Sequence, residues 1–333
     1  MYILFLFTYY FYFGVDLFTN VIAVNGGKGG TGKTFVSVNL AIYLKQLGFN
    51  VLLIDSDVEN PNSNIILGAP KIEDDGNTIK KQVFQYIPRI DEELCTKCGK
   101  CSAVCRMHAI FHVKTNYPIL MENLCSGCKL CERVCPEAAI KSNSKMIGET
   151  IYKEKIKSGN NGSLDLLLGV LKIGQVRAAN VVEELFELTE ELVEKNNYDY
   201  IVLDQPPGAH CDVEFGLKNS DFAVAVTEPT PFGAHDLKRI LDLAKILDKD
   251  VYVVLNRYNL ADYTEKIMDI VEKYGSPLLG KIPLDQKIME SYAQGIPFLE
   301  YQDVPDGNES KKAIEHIAAE VKDIADEYKG GEQ

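Results

Sequence analysis

Val21-Ile22-Ala23-Val24-Asn25-Gly26-Gly27-Lys28-Gly29-Gly30-Thr31-Gly32-Lys33-Thr34 is the stretch that decides the fold. A short apolar run, Val21 to Asn25, enters a glycine-rich turn, and Phe35 to Leu47 then carries the spacing of a helix. Residues Gly27 to Thr34 satisfy G-x-x-x-x-G-K-[ST] in the strand-then-helix setting that motif requires. Positions without side chains let backbone N–H groups wrap phosphates, and the helix N-terminus adds its positive end. Gly27, Lys28, Gly29, Gly30, Thr31, Gly32, Lys33 and Thr34 are therefore the expected nucleotide cradle. Lys33 is expected at the β and γ phosphates and Thr34 on Mg²⁺.

Outward from this loop, Val51 to Ile54 reads as a second buried strand closed by Asp55, Ser56 and Asp57. Four more apolar runs of strand length follow, LDLLLGVL at 164–171, YIVL at 200–203, FAVAV at 222–226 and VYVVL at 251–255. Helical stretches lie between them, notably Val181 to Lys195 and His235 to Leu247. Alternation of this kind predicts an α/β fold with a doubly wound, mostly parallel sheet. A last helix, about Ser310 to Tyr328, aligns Ile314, Ile317, Val321, Ile324 and Tyr328. Its polar face mixes both charges, which fits core packing better than a lipid anchor. Lys71 to Lys81 turns polar around Gly76 and is expected as a surface crossing.

Eight of the nine cysteines fall in two runs. Cys95, Cys98, Cys101 and Cys105 form C-x₂-C-x₂-C-x₃-C; Cys125, Cys128, Cys131 and Cys135 repeat it, with Pro136 following. This is the two-cluster ferredoxin spacing, in which the fourth cysteine of each run serves the other cluster. One [4Fe–4S] cluster is thus assigned to Cys95, Cys98, Cys101 and Cys135, and a second to Cys125, Cys128, Cys131 and Cys105. Zinc would need only paired C-x₂-C doublets, fewer than are present. Arg106 stands where the second run has its proline, a departure that leaves every ligand in place. The organisation expected is residues 1–20 as a hydrophobic extension outside the fold, 21–90 and 144–333 as two parts of a P-loop domain, and 91–143 as a small inserted α+β ferredoxin-like unit. So small a unit buries too little apolar surface to fold alone, so its clusters are expected to be its core.

Acidic and basic residues nearly balance between Asp91 and Asn143, so most of the net charge of −13 belongs to the rest of the chain. That sign repels nucleic acid and anionic lipid, so neither is an expected partner. Lys97, Lys100, Lys129 and Arg133 stand beside the ligands, as solvated surface or as a means of docking an acidic redox partner. Clustered thiols without a secretory leader point to reduced cysteines and a cytoplasmic protein. Met1 to Asn20 is rich in Phe, Tyr and Leu, but it lacks the basic start and cleavage site of a signal peptide, and Gly14, Asp16 and Asn20 interrupt a membrane span. A start codon placed too early is the expectation, with a peripheral anchor as the alternative.

Lys28, an extra lysine within K-G-G-T-G-K-T, resembles the deviant P-loop of the MinD/ParA/Mrp and nitrogenase iron protein superfamily. The resemblance implies ATP bound in a sandwich dimer, with Lys28 crossing to the partner's nucleotide, and the dimer forming with itself or with a paralogue. It further implies that Asp57 orients the attacking water and Asp55 supports the magnesium shell. Asp204, ending the apolar run at 201–203, matches the Walker B carboxylate, and Gln205-Pro206-Pro207-Gly208 resembles the second switch. Asn256 corresponds to the adenine-reading asparagine and Pro283 to a loop beside the base. With the cysteine runs and Thr227-Glu228-Pro229-Thr230-Pro231-Phe232-Gly233-Ala234-His235-Asp236-Leu237, the chain looks like the MinD-type ATPases that carry an inserted ferredoxin unit. The implied function is ATP hydrolysis coupled to electron transfer through two [4Fe–4S] clusters. Its rivals are an Mrp-like carrier that assembles or delivers clusters to an acceptor protein, and a positioning protein whose clusters sense redox state. Cys211, seven residues after Asp204, stands at the offset of the iron protein's cluster-ligating cysteine, but no second cysteine occurs near Lys172 to Asn180.

Overall fold

A computed structural model of the chain describes residues 19–73, 75–158 and 162–330. Nearly all of the expected N-terminal extension, Met1 to Phe18, lies outside the described residues. The first elements are β1 (Asn20–Asn25), α1 (Lys33–Gln46), β2 (Asn50–Asp55), the short α2 (Ser63–Ile66) and β3 (Thr78–Ile90). The cysteine-rich segment follows, with α3 (Lys100–Val104), β4 (Ile110–Phe111), β5 (Ile119–Leu120) and α4 (Leu130–Arg133). The chain continues through β6 (Ile140–Ser158), β7 (Ser163–Leu171), α5 (Ala178–Lys195), β8 (Tyr200–Asp204) and α6 (Cys211–Lys218). It closes with β9 (Phe222–Thr227), α7 (Pro231–Leu247), β10 (Val251–Asn256), α8 (Thr264–Tyr274), β11 (Leu278–Ile282), α9 (Gln286–Ala293) and α10 (Glu309–Gly330).

Nine strands form one sheet in the order β11-β10-β9-β1-β8-β2-β7-β6-β3. From β11 to β7 all pairings are parallel, whereas β6 runs antiparallel to both β7 and β3. The parallel strands are apolar on both faces because helices cover both. Ile22 and Val24 of β1 point into the layer of α1 and α10, where Ile314, Ile317 and Val321 are buried. Val21 and Ala23 point the other way, towards α5 and towards α6, α7 and α8. The terminal helix is thus core packing, as its stripe implied.

The β3/β6 ribbon is the main departure from expectation. Thr78 to Lys81, placed in a surface crossing by their polarity, begin β3, and Lys141 to Asn143, placed in the inserted unit, begin β6. Ile90 pairs with Ile140, and Gly148 pairs with Leu171 at the end of β7. Residues 140–147 therefore extend past the C-terminal edge of the parallel sheet by about 25 Å at 3.4 Å per residue. The cysteine-rich segment is carried at the tip of this ribbon, on the same edge of the sheet as the loop after β1. Four strand spacings separate β1 from β6, roughly 20 Å sideways.

Candidate functional site

Asn25, Asp55, Asp204 and Asn256 end β1, β2, β8 and β10. A doubly wound sheet binds ligands at this edge, where the strand order reverses. A cleft of about 1240 Å³, open to solvent, lies there and is lined by Gly29, Gly30, Gly32, Lys33, Thr34, Asp57, Asn256 and Pro283. Eight of the expected nucleotide residues are thereby brought together. Gly30 and Gly32 adopt φ of 90° and 96°, the left-handed region that glycine enters without strain. At Gly27 a Cβ would stand 1.9 Å from Cβ of Asp236, so the first glycine of the loop is required by the approach of α7. Thr31 is buried and its hydroxyl donates to the Lys28 carbonyl at 3.3 Å. Lys33 is buried at the start of α1, with Nζ 3.5 Å from the Lys28 carbonyl.

Asp55 and Asp204 are register partners on adjacent strands, and both are buried. Burial and then the neighbouring Asp55 charge raise the Asp204 carboxyl, while the hydroxyls of Thr34 and Ser37 favour its ionised form. Burial raises Asp55 as well, against the backbone N–H groups of Asn62 and Ser63, which donate to it at 2.9 and 3.0 Å. Asp57, less buried, is pushed up to about 6 by desolvation and then by Asp55. Three acids held this close repel one another, and a divalent cation beside Thr34 would relieve that repulsion. The carboxylate and hydroxyl donors fit Mg²⁺, which Thr34 and Asp204 could hold.

Asn256 is buried with its side chain already engaged. Its Nδ2 donates to the Thr31 carbonyl at 2.8 Å and its Oδ1 accepts from the Arg257 N–H at 3.0 Å. One donor hydrogen and one lone pair remain free on the amide, enough to read a base edge. Arg257, Leu284, Ile288, Met289 and Tyr292 line the same end of the cleft and were not anticipated from sequence. Arg257 reaches the Gly30 carbonyl at 3.2 Å and Glu228 at 2.5 Å, tying the phosphate loop to the stretch after β9. The motif-like positions of Asn256 and Pro283 signalled this end of the cleft. Its apolar lining comes from α9, whose sequence carries no motif.

Lys28 is exposed, with Nζ 4.9 Å from the centre of the Phe232 ring. Gln205 is buried, accepts from Asn25 Nδ2 and donates through Nε2 to the Val213 carbonyl at 3.2 Å. That chain of contacts connects the end of β1 to α6, whose first residue is the exposed Cys211.

In the cysteine-rich segment the two runs are structurally equivalent. Lys97 and Gly127 both have positive φ, at 59° and 73°, as do Gly99 and Lys129, at 73° and 59°. Cys101 and Cys131 are each 8% exposed, and both Ala109-Ile110 and Ala139-Ile140 are buried. Backbone N–H groups of Ala109 and Ala139 each donate to a thiol, Cys105 and Cys135, at 3.2 Å. Cys95, Cys98, Cys101 and Cys135 line one pocket that opens to solvent. Burial raises the thiols of Cys101 and Cys125, with Cys95 and Cys98 facing the first and Cys105 and Cys128 facing the second. Cys131 is pushed up to about 11, again chiefly by burial. Such thiols ionise when a bound cation compensates them. Among the described residues no three His, Cys, Asp or Glu side chains are grouped to hold a single metal ion. The donor chemistry and the crossing of the two runs fit iron–sulfur clusters. Gln85 Nε2 donates to the Cys125 carbonyl at 2.7 Å, and Arg177 donates to the carbonyls of Cys125 and Leu124 at 3.2 and 3.0 Å. These contacts fasten the second run to the rest of the molecule.

Residues 22–298 match the CobQ/CobB/MinD/ParA nucleotide binding domain. The chain is 35% identical over 298 residues to the uncharacterized protein MJ0579 of Methanocaldococcus jannaschii, covering 90% of this chain and 96% of that one. It is 24% identical over 325 residues to the iron-sulfur cluster carrier protein of Pyrococcus abyssi, covering 94% of this chain and 88% of that one. Among solved structures it resembles the septum site-determining protein MinD of Pyrococcus horikoshii complexed with Mg-ADP, with a TM-score of 0.55 and 20% identity over 93% of this chain and 98% of that one.

Proposed function

The chain belongs to the CobQ/CobB/MinD/ParA nucleotide-binding family, and from this we propose that it is an ATPase whose MgATP cycle, run in a sandwich dimer, is coupled to electron transfer by two [4Fe–4S] clusters. The observation that carries the cluster reading is the pocket lined by Cys95, Cys98, Cys101 and Cys135, which joins the first run to the last cysteine of the second. A crossed set closes each site with four thiolates from one chain. The clusters would supply one-electron storage.

The remaining steps belong to the protein's own groups. Backbone N–H groups of the loop from Gly27 to Thr34 hold the phosphates, and Lys33 neutralises the β and γ oxygens. Thr34 and Asp204 would hold Mg²⁺, and Asp55 keeps the start of α2 in place by accepting from Asn62 and Ser63. Asp57 orients the attacking water. Lys28 leaves Phe232 to reach the partner subunit's nucleotide, where a cation stabilises charge on the transferring phosphoryl group. Asn256, Pro283 and the apolar end of the cleft receive the base. Residues 91–139 form the two-cluster unit, carried between β3 and β6 of the P-loop domain. Both sites stand on one sheet edge, linked by the chain from β7 to α5: the Leu171 N–H donates to the Val58 carbonyl, just after Asp57, and Arg177 donates to the Leu124 and Cys125 carbonyls.

Delivery of clusters to an acceptor is the second reading. It is favoured by the exposure of Cys98 and Cys128, one ligand in each run, which an acceptor thiol would reach. Iron analysis after anaerobic reconstitution tests the shared premise. About eight irons per chain are expected from two four-iron sites, and half that amount, or stoichiometric zinc, contradicts it.

A further inference from the structure

The small hairpin β4/β5 has two unlike faces. Ile110 packs with Cys101, Cys131 and Ile140, and Leu120 packs against both that cluster and the one around Cys125. Phe111 and Ile119 are directly opposed across the hairpin and point outward, 54% and 60% exposed. Val113 at the turn and Met121 at the other end extend this apolar surface. Exposing four large apolar side chains together is costly in a soluble protein unless something covers them. The hairpin is a single layer, so a body resting on its outer face would lie roughly 10 Å from the side chains beneath.

Charges around the face have one prevailing sign. Lys114 is exposed in the turn, and Lys97 lies 4.2 Å above the ring of Tyr117 on the same hairpin. The nearby acid, Glu122, is paired with Lys145 at 2.8 Å. A net positive rim here stands out on a chain of formal charge −13.

We propose that the outer face of β4/β5, centred on Phe111 and Ile119 and rimmed by Lys97 and Lys114, docks an acidic redox protein with an apolar contact patch. The inference rests on the two-cluster reading, because only that gives a redox partner reason to dock over the cysteines. A second copy of the chain is the less fitting occupant, since a symmetric contact of this face with itself would set one positive rim against the other.

The probe is an acidic two-cluster bacterial ferredoxin, titrated against the full-length, cluster-loaded protein while binding is followed by calorimetry. Phe111→Ser with Ile119→Ser should weaken binding about tenfold or more, the loss of an apolar anchor pair. Lys114→Glu should weaken it at low salt and converge with the parent at high salt. Iron content and far-ultraviolet dichroism of each variant should match the parent. Unchanged affinity in the double variant overturns the proposal, as does equal binding of a basic ferredoxin. A change in oligomeric state in the double variant, without change in ferredoxin affinity, assigns the face to a second copy and also overturns it. Failure of the parent to hold iron is read separately and sinks the two-cluster premise instead.

Discussion

The two lysines of the phosphate loop divide one motif into two tasks. Lys33 is buried against the loop, while Lys28 is exposed and set on Phe232. Lys33→Ala removes a charge-assisted contact worth about 2–3 kcal/mol and should weaken ATP binding by roughly 100-fold or abolish it. Lys28→Ala should leave binding within about threefold by calorimetry yet lower hydrolysis at least ~100-fold, as removal of a trans-acting cation does. Parent-like hydrolysis in Lys28→Ala would remove the sandwich dimer from the account. Cys211 lies outside both cysteine runs. It opens α6, which Gln205 ties to Asn25 at the foot of the phosphate loop. Cys211→Ser should retain the iron of the parent while losing part of its nucleotide-dependent activity with a partner. Equal activity and equal iron would return this thiol to a bystander's role. Sequence pattern reached Cys211 through its offset from Asp204 and Gln205 as part of a second switch, but it could not show that Gln205 joins Asn25, 180 residues away, to Val213.

Among the elements, those buried on both faces were legible and the half-buried ribbon was not. β1, β2, β8, β9 and β10 read as unbroken apolar runs because helices cover both sides. β3 inverts the usual alternation, since Phe84 is 51% exposed and Gln85 is buried. Its inward glutamine is explained by the Cys125 carbonyl it serves, a contact 40 residues away that no local pattern signals. β6 is equally hidden, with the polar Thr150 fully buried between Glu149 and Ile151. The eight candidate cluster ligands, by contrast, stand at a spacing that can be read without the fold, because a cluster site fixes ligand spacing locally. Arg177 is the clearest hinge between the two regions, joining the start of α5 to Leu124 and Cys125. Arg177→Ala should cost only about 1 kcal/mol, since the side chain is partly exposed. Its effect should be local, with faster amide exchange across residues 124–128 and an unchanged rate in β1 and β8. Unchanged exchange in 124–128 would show that the ribbon alone holds the segment.

For the whole molecule, the shared edge of the sheet is the organising fact. The cleft and the cysteine-rich segment both open where the parallel strands end, so a dimer closing over nucleotide there would move one pair of segments relative to the other. Among the described residues no helix is long and apolar enough to cross a membrane. The chain's negative charge, which argued against nucleic acid, also limits the surfaces on which an acidic partner docks, leaving the ribbon tip as the favoured one. The most direct test mixes reduced, cluster-loaded protein with an oxidised ferredoxin, with and without MgATP, and follows oxidation by stopped flow before iron is assayed on each separated protein. Gated electron transfer predicts oxidation that depends on MgATP while all the iron stays with this chain. Oxidation indifferent to nucleotide, or iron recovered on an apo-ferredoxin in a parallel mixture, would contradict it.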